Sequence, residues 1–132
     1  MEIRKYEKAD EDNVMRIIEL EGEDWKDYSA PEAQEKYRKA LGNSITYVAV
    51  ENGEICGYSR SINDNDYYIY VFDLLVTPKH RGKNLGRQLM ECIYKDYPSI
   101  MDVFVTSDVD EYYKKQGYVK EGTVFKVTNK NN

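Results

Sequence analysis

Within VTPKHRGKNLGRQL, residues 76–89, Lys79, Arg81, Lys83 and Arg87 stand around Gly82, Asn84 and Gly86 with no acid among them. A glycine-containing turn leading from a strand into a helix aims unpaired main-chain N–H groups and the positive end of a helix dipole at one point. Cations gathered at such a turn suit phosphate or pyrophosphate. The gathering is informative because the remainder is acidic: 24 Asp and Glu oppose 19 Lys and Arg, a formal charge of −5. That balance opposes attraction to a polyphosphate backbone, so no nucleic-acid partner is expected. Nor does the turn fit two familiar phosphate loops. The string G-x-x-x-x-G-K-(S/T) is missing, and no G-x-G-x-x-G follows the first strand. His80, the only histidine, sits inside the basic turn and reads as a solvated turn residue.

The elements that must position this turn follow from periodicity. EIRKY at residues 2–6 alternates like a short strand, and Val14, Met15, Ile17, Ile18 and Leu20 then recur at helical spacing up to Gly22. Ser29 as N-cap, Pro31 in the first turn and Glu32 predict a second helix running to Gly42. Two β-branched runs flanking Asn52-Gly53 predict a hairpin. After the polar turn NDND at 63–66 comes YYIYVFDLLV, whose near-continuous apolar character predicts a strand buried on both faces and stopped by Pro78. Leu85, Leu89, Cys92 and Ile93 share a face of a helix over 85–96, followed by a strand IMDVFV, a helix over 109–116 ended by Gly117, and a last strand YVKEGTVFKV. The predicted order is β-α-α-β-β-β-α-β-α-β, an α/β (α+β) fold with a mixed central sheet of about six strands and helices on both faces.

At 132 residues the chain suits a single domain over 1–132, with 129–132 fraying. Cys56 and Cys92 form no C-x-x-C pair, so free thiols are expected and neither a disulfide nor a metal site. No apolar run suits a signal peptide or a membrane span, which predicts a cytoplasmic chain with no membrane partner.

The basic turn resembles the acyl-CoA loop of the GNAT acetyltransferase family, written (Q/R)-x-x-G-x-(G/A) and commonly set in V-x-P-x-x-R-G-x-G-x-G. Val76, Pro78, Arg81, Gly82 and Gly86 match, while Asn84 stands where the family prefers glycine. Asparagine enters the left-handed backbone region more readily than most residues, so the loop can still form. DVDEYYKKQGY, residues 108–118, resembles the family's A-x-x-(F/L)-Y-x-x-x-G-(F/Y) through Tyr112, Tyr113, Gly117 and Tyr118, with Val109 in place of alanine and Thr106 where an asparagine is frequent.

The resemblance implies a fold in which the fourth and fifth strands are parallel neighbours that splay apart around a pantetheine arm. It implies that Leu74 and Val76 offer main-chain groups to pantetheine, and that Arg81, Gly82, Lys83, Asn84, Leu85, Gly86 and Arg87 wrap the pyrophosphate. The implied reaction transfers an acetyl group from acetyl-CoA, as cosubstrate and without a metal, to a primary amine on a small molecule or a peptide. Tyr113 is the implied general acid, protonated at neutral pH because an unperturbed tyrosine titrates near about 10. Asp73, the only carboxylate of the fourth strand, is the candidate base, with water alone as the other possibility. Trp25, Tyr28 and the acids of EGEDWKDYSA and NDND are candidate contacts for a cationic acceptor. A homodimer fits the resemblance. A CoA-binding sensor or interaction module without turnover is the competing function.

Overall fold

The computed structural model describes residues 1–129. In chain order the elements are β1 (Glu2–Lys5), α1 (Glu11–Leu20), α2 (Lys26–Ser29), α3 (Pro31–Asn43), β2 (Ile45–Glu51), β3 (Glu54–Asp64), β4 (Tyr68–Val76), α4 (Leu85–Asp96), β5 (Asp102–Val105) and α5 (Asp110–Lys115). One sheet runs β1-β2-β3-β4-β5, antiparallel except for the parallel pair β4 and β5. The mixed sheet and helical faces expected from periodicity are present, with five strands rather than six.

Alternation along the strands divides the core in two. Val14, Met15, Ile17 and Ile18 of α1 and Tyr37 and Leu41 of α3 pack on Val48, Tyr58 and Leu75. On the other face Leu85, Leu89, Met90 and Ile93 of α4 cover Tyr47, Ala49, Cys56, Ile69 and Val71. Leu20 does not join the first cluster and is 77% exposed. Two residues past Ile18 at 3.6 residues per turn is roughly 200° around the helix, so Leu20 faces solvent. Cys56 is buried and Cys92 half-buried, both free.

Three local expectations differ from the structure. Ser29 ends α2 instead of capping α3, because residues 22–29 are themselves helical, and Ala30 enters α3 with no side-chain cap. The fourth strand is not buried on both faces: Phe72 is 43% exposed and Tyr68, Tyr70, Leu74 and Val76 are half-buried. The last predicted strand is absent. From Tyr118 to Asn129 the chain has no regular structure and joins no strand of the sheet. By contrast the hairpin turn forms as expected, with Asn52 at φ 52° and Gly53 at φ 79°.

Asp10 fastens β1 to α1. Its carboxylate accepts from Arg4 at 2.8 and 2.9 Å and from the Glu7 main-chain N–H at 2.8 Å. These bonds, with Arg4 foremost, hold the Asp10 carboxyl below the usual range. A depressed folded value means the stabilisation is present above the unfolded pKa near about 4 and is lost as pH falls through the folded one. Asp10→Asn is expected to cost about 2 kcal/mol at neutral pH, with the gap to wild type closing in acid, as read from urea unfolding at a series of pH values.

Candidate active site

The site begins with a register slip. Arg60 of β3 opposes Asp73, yet Ser61 opposes Val71, so Phe72 has no opposite residue and forms a β-bulge. The bulge reverses the alternation of β4. Ile69 and Val71 face α4, whereas Asp73 and Leu75 face α1 and α3. It turns the main chain as well. Val71 accepts from the Thr106 N–H at 3.0 Å and Phe72 from the Thr106 hydroxyl at 3.3 Å, both from the β5 side.

Those are the last ties between β4 and β5, whose ladder ends at Val71 and Val105. Beyond it β4 continues to Val76 with β3 alone. The Thr77 N–H donates to Cys56 on β3 at 2.9 Å, so by alternation the main-chain groups of Leu74 and Val76 face the side that β5 has left. A gap of roughly 13 Å along β4 is thus edged by strand groups turned toward it.

The basic turn closes one end of that gap. Gly82 and Asn84 both have positive φ, 81° and 62°, so Asn84 adopts the left-handed conformation the turn requires. No side chain caps α4 at Asn84, which leaves the first-turn N–H groups of Leu85, Gly86 and Arg87 available to an anion. Leu85 is buried and anchors the helix start in the core. Arg81 is committed elsewhere, donating from Nε to the Val76 carbonyl at 2.9 Å and from its guanidinium to Glu21 at 2.7 Å. It braces the turn instead of presenting its side chain to phosphate. Arg87 reaches Glu91 and Gln116 at 3.3 Å. Lys79 and Lys83 make no salt bridge among the described residues.

Tyr113 lies on α5, half-buried between the rings of Tyr112 and Tyr118 at 5.1 and 6.1 Å. Burial foremost, then Tyr112, Asp108 and Tyr118, hold its phenol protonated well above the ordinary range. Tyr112, which the sequence pattern treats as an apolar filler, brings its hydroxyl against Gly86 so closely that a Cβ there would collide with it.

Asp73 is almost fully buried. Its Oδ2 accepts from Arg60 Nε at 2.6 Å and from the Tyr37 hydroxyl at 2.7 Å, and Tyr37 meets the Tyr58 hydroxyl at 2.6 Å. Among the described residues its Oδ1 accepts no hydrogen bond. Arg60 lies over the rings of Tyr37 and Phe72 at 5.4 and 5.9 Å. Sequence reasoning missed Arg60, Tyr37 and Tyr58, which only the folded sheet brings to Asp73. Trp25 and Tyr28 approach this cluster, 5.5 Å apart, with Tyr28 4.6 Å from Tyr37. NDND lies at the opposite end of β4 from the basic turn, roughly 25 Å away along the strand, and takes no part in this cluster. His80 is not a free turn residue. It meets the Thr77 hydroxyl at 2.9 Å and Glu51 at 2.7 Å, tying the turn to β2.

The sequence matches the acetyltransferase (GNAT) domain over residues 42–120, more than half of the chain, which therefore belongs to the GNAT acetyltransferase family. An uncharacterized N-acetyltransferase, ycf52, from Pyropia yezoensis is 27% identical over 95 residues, covering 65% of this chain and 55% of that protein. The chain spans about half the length of the curated relatives it matches. Among solved structures, a GNAT family acetyltransferase from Streptococcus pneumoniae superposes with a TM-score of 0.76 at 20% identity, covering 98% of each chain. Glucosamine-6-phosphate N-acetyltransferase from Arabidopsis thaliana gives 0.69 at 17% identity, covering 96% of this chain and 97% of its own. At such identities the likeness is one of fold.

Removing one partner of a buried ion pair strands the other. Asp73→Asn is expected to cost about 3 kcal/mol in urea unfolding, and adding Arg60→Met to recover part of that loss, since it removes the stranded guanidinium.

Proposed function

We propose that this chain transfers the acetyl group of acetyl-CoA directly to a primary amine of a small molecule or peptide. The observation that carries the reading is the gap between β4 and β5, edged by Leu74 and Val76 and ending on the uncapped N–H groups of α4. An extended arm bearing amides can pair with the turned strand groups while its pyrophosphate meets the N–H groups of Arg81 to Arg87. Among the described residues no cluster of His, Cys, Asp or Glu suits a metal ion, and the reading uses none.

In the proposed reaction the amine nitrogen bonds to the thioester carbonyl carbon and the C–S bond breaks. The Val76 N–H polarises the carbonyl. Tyr113 gives its proton to the departing thiolate; its raised pKa keeps that proton in place at neutral pH. The amine's proton leaves through water to Asp73 Oδ1, the oxygen that Arg60 and Tyr37 leave open.

A ligand that binds only the native state raises the melting temperature, so acetyl-CoA at millimolar concentration is expected to raise Tm, and no shift would remove the reading. Thiol release with a panel of amines separates turnover from a CoA-binding module: a Tm shift without release supports the module. Tyr113→Phe is expected to lower kcat about a hundredfold with little change in KM. If the loss follows Tyr112→Phe instead, the donor is the hydroxyl packed against Gly86.

A further inference from the structure

Five rings and an isoleucine on or beside β3, β4 and β5 belong to neither core cluster. Ile62, Tyr67 and Phe72 are 39%, 52% and 43% exposed, and Tyr68, Tyr70 and Phe104 are half-buried. Tyr70 opposes Ile62 on β3 and Phe104 on β5, and directly opposed residues share a face. Ile69 and Val71 point to α4, so by alternation Tyr68 and Tyr70 lie on the face that α1 and α3 cover farther along the sheet. The rings form a chain of contacts. Tyr67 lies 4.3 Å from Tyr68, Phe104 lies 5.2 and 5.5 Å from Tyr68 and Tyr70, and Tyr70 stacks toward Phe72 at 6.4 Å. Scattered apolar residues on a surface are ordinary, but a contiguous aromatic shelf marks a place where something binds.

One end of the shelf adjoins the site. Phe72 lies 5.9 Å from the Arg60 guanidinium that holds Asp73, and its carbonyl accepts one of the last ties to β5 before the gap opens. Arg60 is committed to Asp73 and Ser44, so an anionic body laid on the shelf gains no free guanidinium there. From Tyr68 to Phe72 the shelf is roughly 13 Å long, and three strands make it about 10 Å wide. A stable protein partner needs about 800 Å² of each surface, several times that area, whereas one small molecule covers it. An amine that reaches the gap beside Asp73 lays its remaining atoms over the adjoining surface, and that surface is aromatic. We propose that the acceptor is a small amine carrying a flat aromatic or apolar body, which lies on Ile62, Tyr70, Phe72 and Phe104 while its nitrogen meets the gap. The inference rests on the acetyl-transfer reading and narrows its acceptor.

Thiol release from acetyl-CoA is to be measured with ethylamine, 2-phenylethylamine and putrescine, beside titrations of the Tyr70 and Phe104 ring resonances with the same amines. 2-Phenylethylamine is expected to exceed ethylamine about thirtyfold in kcat/KM and to be the one amine that shifts the rings. Tyr70→Ser and, at a more exposed position, Ile62→Ser are each expected to cut that preference about fivefold or more, with melting curves confirming the fold. Release without preference for the aromatic amine, or a preference untouched by both substitutions, would overturn this inference and leave acetyl transfer standing. So would a preference for putrescine, which would mean that the rings receive a cation. Ring shifts without release from any amine would overturn the transfer reading and keep the shelf as an amine-binding surface, and neither response would overturn both. A dimer whose formation shields these rings would give the shelf to a second copy and overturn the proposal.

Discussion

Successive residues of a strand send side chains and main-chain groups to alternate sides, and β4 breaks that rule once, at Phe72. Two consecutive carbonyls, Val71 and Phe72, therefore face β5. From there on the sides are exchanged. Without the slip Asp73 would point toward α4, and the outward-facing main-chain groups would belong to Asp73 and Leu75. With it the carboxylate enters the cluster of Arg60, Tyr37 and Tyr58, and Leu74 and Val76 turn to the gap. The strand edge that faces the gap and the buried carboxylate thus share one cause. A change that restored regular pairing would displace both together.

The electrostatics follow from how each charge is committed. Arg81, Arg87 and His80 have acidic partners within the protein, and Arg81 spends its guanidinium on the end of β4 and on Glu21 beyond α1. These contacts fix the turn, so its geometry does not depend on a ligand arriving. What remains for an anion is the set of main-chain N–H groups at α4, with Lys79 and Lys83 beside them. Recognition through fixed dipoles loses little side-chain entropy on binding, whereas four free cations would have to be ordered.

Local signals wrote the legible part of this fold. The basic turn, the Asn52-Gly53 hairpin, the α4 face, the α1 face apart from Leu20 and the Gly117 stop each depend on residues close in sequence, and each formed where expected. The positive φ at Asn84 shows that a departure from glycine was read correctly from its backbone chemistry. The bulge left no such mark, because whether Phe72 has an opposite residue depends on β3, more than ten positions away. Tyr37, Tyr58 and Arg60 were invisible for the same reason. They belong to α3 and β3, and only tertiary pairing makes them neighbours of Asp73 on β4. The missing sixth strand is the converse case. Its alternation is local and real, but a strand exists only where an edge accepts it.

Asp73 shows how the two halves of the molecule constrain each other. A buried carboxylate is tolerated when charge and hydrogen bonds compensate it, and Arg60 and Tyr37 supply both to a single oxygen. Leaving Oδ1 without a partner sacrifices stability that a further donor would have supplied. Among the described residues the other buried side-chain oxygens in that condition are hydroxyls, Tyr6, Ser59 and Ser61, so Asp73 alone leaves a formally charged group partly unmet. The rings of Tyr37 and Phe72 lie against the Arg60 guanidinium and hold it in place beside the carboxylate.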